Sequence, residues 1–195
     1  TIRVLDTSTW NEIKKYDFVN IANFDSLTYS ENSQYLYFTD SNNLIIDTFT
    51  DKKVFISNEF DTLPGSRIAL SSDLKLIASS YQGELDTEDI NIWGFNSGKL
   101  LKTVNDEPIY GDPINYPFYC MSFSIDNEYI VAIIEGNLKV FEIKSGKIIK
   151  RLASGEIFAF SPNGKYIAME SVGSGNELSI FEFNFEKTVL SELIL

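Results

Sequence analysis

The feature that most restricts the fold is a period of roughly forty residues, because self-similarity at that spacing means stacked copies of one supersecondary unit. Two markers carry it. The first is a serine-led polar turn between two apolar runs, reading Tyr29-Ser30-Glu31-Asn32-Ser33-Gln34-Tyr35 at its first appearance. It returns at Leu70-Ser71-Ser72-Asp73, Phe123-Ser124-Ile125-Asp126 and Phe160-Ser161-Pro162-Asn163. The second is a bulky residue, usually followed by an acid, that closes an apolar run: Leu5-Asp6, Ile46-Asp47, Trp93-Gly94, Phe141-Glu142 and Phe181-Glu182. Two independent markers that keep step are much harder to obtain by chance than either alone.

Each repeat divides into four short runs bounded by turn residues, none long enough for a helix. In the fourth repeat they fall near 118–123, 129–134, 137–143 and 147–152. We label the four strands a to d. The run 130–134 is continuously apolar, as expected of an inner strand covered on both faces, whereas Lys147-Ile148-Ile149-Lys150-Arg151-Leu152 alternates as a strand with one wet face does. A lone four-stranded meander leaves apolar surface uncovered, and stacking such meanders around an axis covers it. The expected fold is therefore all-β, a β-propeller of four-stranded antiparallel blades.

The segments Phe160-Ser161-Pro162-Asn163-Gly164-Lys165-Tyr166-Ile167-Ala168 and Ile90-Asn91-Ile92-Trp93-Gly94-Phe95-Asn96-Ser97-Gly98-Lys99 resemble the a–b turn and the strand-c ending of WD40-repeat propellers. The resemblance extends over almost the whole chain. It departs from the family at the Gly-His pair and the Trp-Asp ending, since the chain has no histidine and Gly94 follows Trp93. Related propellers of the TolB-like or peptidase type remain alternatives. The repeat count predicts about four and a half blades: a half blade of strands c and d over 1–19, then blades at 21–60, 66–104, 118–152 and 156–195. The inner strands of the first blade have no donor in these residues. A part of a larger propeller is the expectation, with an open arc completed by a partner or an irregular closed ring as alternatives; open edges also predict self-association.

Charge and composition narrow the function. The sequence carries 16 basic and 28 acidic side chains, a net charge of −12. Such a charge repels phosphate backbones and anionic lipid, so neither a nucleic-acid nor a membrane partner is expected. The apolar run 129–134 is far too short for a membrane helix, which needs about 20 residues. The single cysteine, Cys120, forms no internal disulfide, and a cytoplasmic setting is expected, with the nucleus as the alternative. Without histidine, imidazole acid–base chemistry, His-dependent triads and His-metal clusters are excluded. Cys120 lies in an apolar strand a and reads as a buried small hydrophobe. The Gly173-Ser174-Gly175 segment reads as a hairpin rather than a phosphate cradle, because a strand rather than a helix follows it. Lys139, Lys144, Lys147, Lys150 and Arg151 read as a solvated face. No catalytic residue, cofactor or metal is predicted.

Two departures from the period open on one end of the sheets. In a meander, the b–c loop and the d–a connection share an end. The b–c loop of the third repeat carries Tyr81, Glu84, Asp86, Glu88 and Asp89, and the following connection carries Asp106, Glu107, Tyr110, Asp112 and Tyr116, with no lysine or arginine in either. These residues form a candidate partner-binding lip: carboxylates steer a basic partner and tyrosines offer rigid contact area. The predicted function is a non-catalytic, WD40-like module that scaffolds protein–protein contacts. The alternatives are a propeller domain of a larger enzyme or receptor and a small-ligand or sugar-binding propeller.

Overall fold

A computed structural model describes residues 1–17, 26–30, 32–39, 44–54, 68–82, 88–104, 120–134, 136–171, 177–184 and 189–193. Every regular element among them is a β-strand paired antiparallel to its sequence neighbour. Strands β1 (Ile2–Leu5) and β2 (Glu12–Tyr16) form a two-stranded sheet. A four-stranded sheet follows from β3 (Ser26–Tyr29), β4 (Tyr35–Thr39), β5 (Leu44–Asp47) and β6 (Lys52–Lys53). The next comprises β7 (Ile68–Leu70), β8 (Leu76–Gln82), β9 (Glu88–Gly94) and β10 (Leu100–Val104). The last is a seven-stranded sheet of β11 (Cys120–Phe123), β12 (Tyr129–Ile134), β13 (Asn137–Glu142), β14 (Lys147–Phe160), β15 (Tyr166–Ser171), β16 (Glu177–Asn184) and β17 (Val189–Leu193).

The seven-stranded sheet is two blades joined by one long strand, where the sequence pattern predicts two separate strands. The first part of β14 pairs with β13 as a strand d, and its last part pairs with β15 as a strand a. Gly155 marks the passage. Its amide donates to the Gly136 carbonyl at 2.7 Å. A Cβ there would lie 2.5 Å from the Glu170 carbonyl oxygen. Only glycine, which has no Cβ, lets the chain pass so close.

The serine turns repeat because one hydrogen-bond unit builds each of them. In every copy the serine hydroxyl donates to the Asx side chain two residues on: Ser30 to Asn32 (2.8 Å), Ser71 to Asp73 (2.8 Å), Ser124 to Asp126 (2.5 Å) and Ser161 to Asn163 (2.7 Å). The same oxygen accepts the backbone N–H five residues on, from Tyr35, Leu76, Tyr129 and Tyr166 at 2.9–3.0 Å. The fourth position of the turn is left-handed, and it is filled by Ser33 (φ 59°), Leu74 (φ 56°), Asn127 (φ 59°) and Gly164 (φ 66°). Glycine and asparagine adopt that conformation readily. The acid of the second marker does similar work between strands c and d. Asp6 Oδ1 accepts from the Ser8 and Thr9 amides, and Asp47 Oδ1 from those of Phe49 and Thr50.

Strand alternation sends the bulky residues of these markers into the spaces between sheets. Ile130, Ala132, Ile134 and Phe141 pack against Ala69, Ala78, Ile90 and Ile92 of the preceding sheet. On their other faces β12 and β13 turn Val131, Ile133, Leu138 and Val140 toward Phe158, Ile167, Met169 and Phe181. Ile45 meets Ile68, Ile77 and Trp93, and the two-stranded sheet packs Ile2 and Tyr16 on Leu36 and Ile46. Each fully buried Val, Leu, Ile, Phe or Met side chain among them contributes roughly 1.5–3 kcal/mol, so the stack is held chiefly by these inter-sheet layers. Polar pins join neighbouring turns. Lys14 Nζ reaches the Thr48 carbonyl and Asp51, Lys102 Nζ caps the Ile143 and Lys144 carbonyls, and the Asn127 amide exchanges hydrogen bonds with Ser72.

Two expectations change. Lys139 is buried within β13 and partnered, because it sits on the inner strand pair instead of the wet edge; Lys144, Lys147 and Arg151 are exposed and Lys150 half-buried. Cys120 is half-buried, packed at the margin of the Val131–Phe158 layer. Among the described residues no helix is long and apolar enough to cross a membrane.

Candidate partner-binding lip

Of the candidate lip residues, Tyr81, Glu88 and Asp89 stand on the β8–β9 hairpin, whose strands are of equal length and paired throughout. Its base is rigid: Ile77, Ala78, Ile90 and Ile92 are buried, and the buried Trp93 indole donates to Ser79 Oγ at 2.9 Å. The register carries this order outward, setting Tyr81 opposite Asp89 and Gln82 opposite Glu88 at the b–c end. Tyr81 and Asp89, separated in sequence, are thus cross-strand neighbours.

Asp89 is the unusual member. Its Oδ1 is buried and has no hydrogen-bond partner, and burial pushes the carboxyl pKa up. A carboxylate acceptor left in that state costs free energy until a donor reaches it, and a cationic donor serves best. Sequence reasoning placed Asp89 among seven acids without distinguishing it; its burial depends on packing around the hairpin, which no local pattern encodes. Glu88 lies on β9 beside it. Glu84, Asp86, Asp106, Glu107, Tyr110, Asp112 and Tyr116 lie outside the described residues, as do Gly173, Ser174 and Gly175.

A second concavity, which sequence reasoning missed, lies by the serine turns. It is a cavity of about 190 Å³ where three blades meet, lined by Tyr29, Ser30, Tyr37, Leu70, Ser71, Ser72, Ser122, Phe123 and Ser124. The recurrence of serine at the turns was its only sequence signal. The hydroxyl hydrogens of Ser30, Ser71 and Ser124 are committed to Asn32, Asp73 and Asp126, so these serines serve the turns.

With the geometry established, comparison with known proteins identifies the architecture. The chain is similar to β-propeller proteins. It superposes on Kuenenia stuttgartiensis hydrazine synthase with a TM-score of 0.67 at 19% identity, over 92% of this chain and 58% of that one. It superposes on the dihydro-heme d1 dehydrogenase NirN, solved in complex with DHE, with a TM-score of 0.61 at 15% identity, over 99% of this chain and 41% of that one. The chain thus spans about half the length of the propeller proteins it resembles. No family model matches it, and no curated protein does. At these identities the likeness establishes the fold: antiparallel four-stranded sheets of an incompletely closed propeller.

Proposed function

We propose that this chain is a non-catalytic, WD40-like propeller module that docks a basic protein partner on the lip of its third blade. The observation that carries this reading is Asp89, a strand-end carboxylate with one oxygen buried and unpartnered. A lysine or arginine of the partner offsets the Asp89 charge, and the other acids of the two segments steer the encounter. Tyr81, Tyr110 and Tyr116 supply contact area.

The test uses a fluorescein-labelled peptide of alternating lysine and serine, with anisotropy read at low and high salt. Binding is expected to weaken as salt screens the lip over a Debye length of roughly 10 Å or less. Reversing Glu84, Asp86 and Asp89 to lysine is expected to weaken it by about tenfold or more, as losing one charge-assisted contact does. Reversing the exposed Glu12, Asp17 and Glu156 instead holds net charge equal to that of the lip variant. Equal loss in both variants would reduce the effect to bulk acidity and refute the lip.

A second reading, a propeller domain of a larger enzyme, is favoured by one finding: the two similar structures are named as a synthase and a dehydrogenase, in chains longer than this one. Catalytic or cofactor-binding sequence flanking these residues in the encoding gene supports it, and a gene without such sequence removes it.

A further inference from the structure

The sequence holds one Asn-Gly pair, Asn163-Gly164, and the structure sets it inside the last serine turn. Asparagine is chemically frail in that context, because the backbone nitrogen of the next residue can attack the side-chain carboxamide and glycine presents no Cβ to block the approach. Asn163 is exposed to water, and its Nδ2 has no hydrogen-bond partner among the described residues.

The turn keeps both reacting groups engaged elsewhere. Asn163 Oδ1 accepts from the Ser161 hydroxyl at 2.7 Å and from the Lys165 amide at 3.0 Å, which fixes the carboxamide toward those two residues. The Gly164 N–H donates to the Ser161 carbonyl at 2.8 Å, and Gly164 itself is buried at a φ of 66°. Attack by that nitrogen needs these bonds released. The first serine turn is an internal comparison: Asn32 takes the place of Asn163, and its Oδ1 accepts from the Ser30 hydroxyl and the Gln34 amide, but the residue that follows is Ser33, which carries a Cβ.

We infer that Asn163 is a self-modification site gated by the turn that holds it. In the opened turn the Gly164 nitrogen bonds to Asn163 Cγ, the Cγ–Nδ2 bond breaks, and Nδ2 leaves as ammonia with the Gly164 amide proton, giving a succinimide. Water then cleaves one of the two ring C–N bonds: cleavage at Cγ gives aspartate, and cleavage at the main-chain carbonyl gives isoaspartate. No electron is transferred. Aspartate fits the turn, since Asp73 and Asp126 accept the serine hydroxyl at the same place. Isoaspartate routes the main chain through the side-chain carbons, which adds a methylene between residues 163 and 164 and displaces the acceptor that Ser161 and Lys165 share. The turn then cannot close. It joins β14 to β15, whose Phe158, Ile167 and Met169 pack on the preceding blade, so a passing opening becomes a permanent one beside that layer. This site is separate from the lip and does not rest on it.

The experiment incubates the full chain in mildly alkaline buffer, folded or unfolded in urea, and follows residue 163 by peptide mass and by isoaspartyl methyltransferase labelling. Conversion in the folded chain is expected to be slower by about tenfold or more, because it proceeds only from the opened turn. Ser161→Ala is expected to quicken the folded reaction by about twofold to fivefold and to leave the unfolded rate unchanged. Gly164→Ser, with the residue that fills the left-handed position of the first turn, should lower the unfolded rate to that of Asn32. In the isoaspartyl fraction the Tyr166 amide, which donates to Ser161 Oγ, should exchange faster than in Asn163→Asp. Equal folded and unfolded rates, or no change with Ser161→Ala, would remove the gate and overturn the proposal. So would conversion of Asn32 as fast as Asn163 in the unfolded chain, absence of isoaspartate at 163, or equal Tyr166 exchange in the isoaspartyl fraction and Asn163→Asp.

Discussion

Replacing Ser124 by alanine isolates what burial adds to a hydrogen bond that the sequence repeats four times. Ser124 is buried, its oxygen accepts the Tyr129 amide at 3.0 Å, and its hydroxyl donates to Asp126 at 2.5 Å. The Tyr129 carbonyl already accepts from the Ser124 amide, so truncation removes the acceptor that Ser124 gives the buried Tyr129 N–H. An orphaned buried donor costs roughly 1–3 kcal/mol, and about 2 kcal/mol is expected for Ser124→Ala. Ser161 makes the same bonds to Tyr166 (2.9 Å) and Asn163 (2.7 Å) but is half-buried beside an exposed Asn163, where water can replace the lost oxygen. For Ser161→Ala a loss of about 0.5–1 kcal/mol is expected. Urea unfolding followed by far-UV circular dichroism, at one pH and with the m-value held as a check on two-state behaviour, reads both losses. In a chain of this size the Ser124 variant should also melt roughly 4–8 °C lower. Equal losses at the two positions would show that the turn bond itself, and not its burial, sets the cost, refuting the argument.

Leu74 holds a left-handed φ of 56° and fills the position occupied by Gly164 in the last blade. That conformation costs a branched side chain but not glycine. Leu74→Gly is expected to raise stability by about 0.5–1 kcal/mol despite glycine's entropic cost in the unfolded chain; a fall in the urea midpoint would refute it. Asp6 and Asp89, shifted in opposite directions, should give opposite pH signatures. Asp6 is held at about 2, first by the Ser8 hydroxyl and then by the Thr9 amide. It contributes stability that is present above the ordinary carboxylate range of about 4 and lost as pH falls toward 2. Asp89, raised by burial, costs nothing while protonated, and its penalty appears as pH rises through and beyond that range. Urea midpoints of Asp6→Asn and Asp89→Asn between pH 2 and pH 7 check both: Asp6→Asn should lose ground to the native chain as pH rises, and Asp89→Asn should gain. A reversed order for either would refute its assignment.

The part of the fold that can be read along the chain rests on local interactions. The Ser-x-Asx turn and the left-handed residue that follows it are formed within six residues, and strand alternation needs only the neighbours on one strand, so the period, the four-stranded antiparallel units and the all-β class were legible. The β12 run Tyr129–Ile134, wholly apolar in sequence, is buried at every position for that reason. What covers each surface depends on contacts between sheets. Lys139 looked like part of a wet face and is buried; Asp89 looked like one acid of seven and has an unpartnered buried oxygen; Leu5 and Leu27 occupy the same repeat positions as buried residues and are exposed. Burial is a property of the neighbouring blade, tens of residues away in sequence, and a pattern read along one strand contains no term for it.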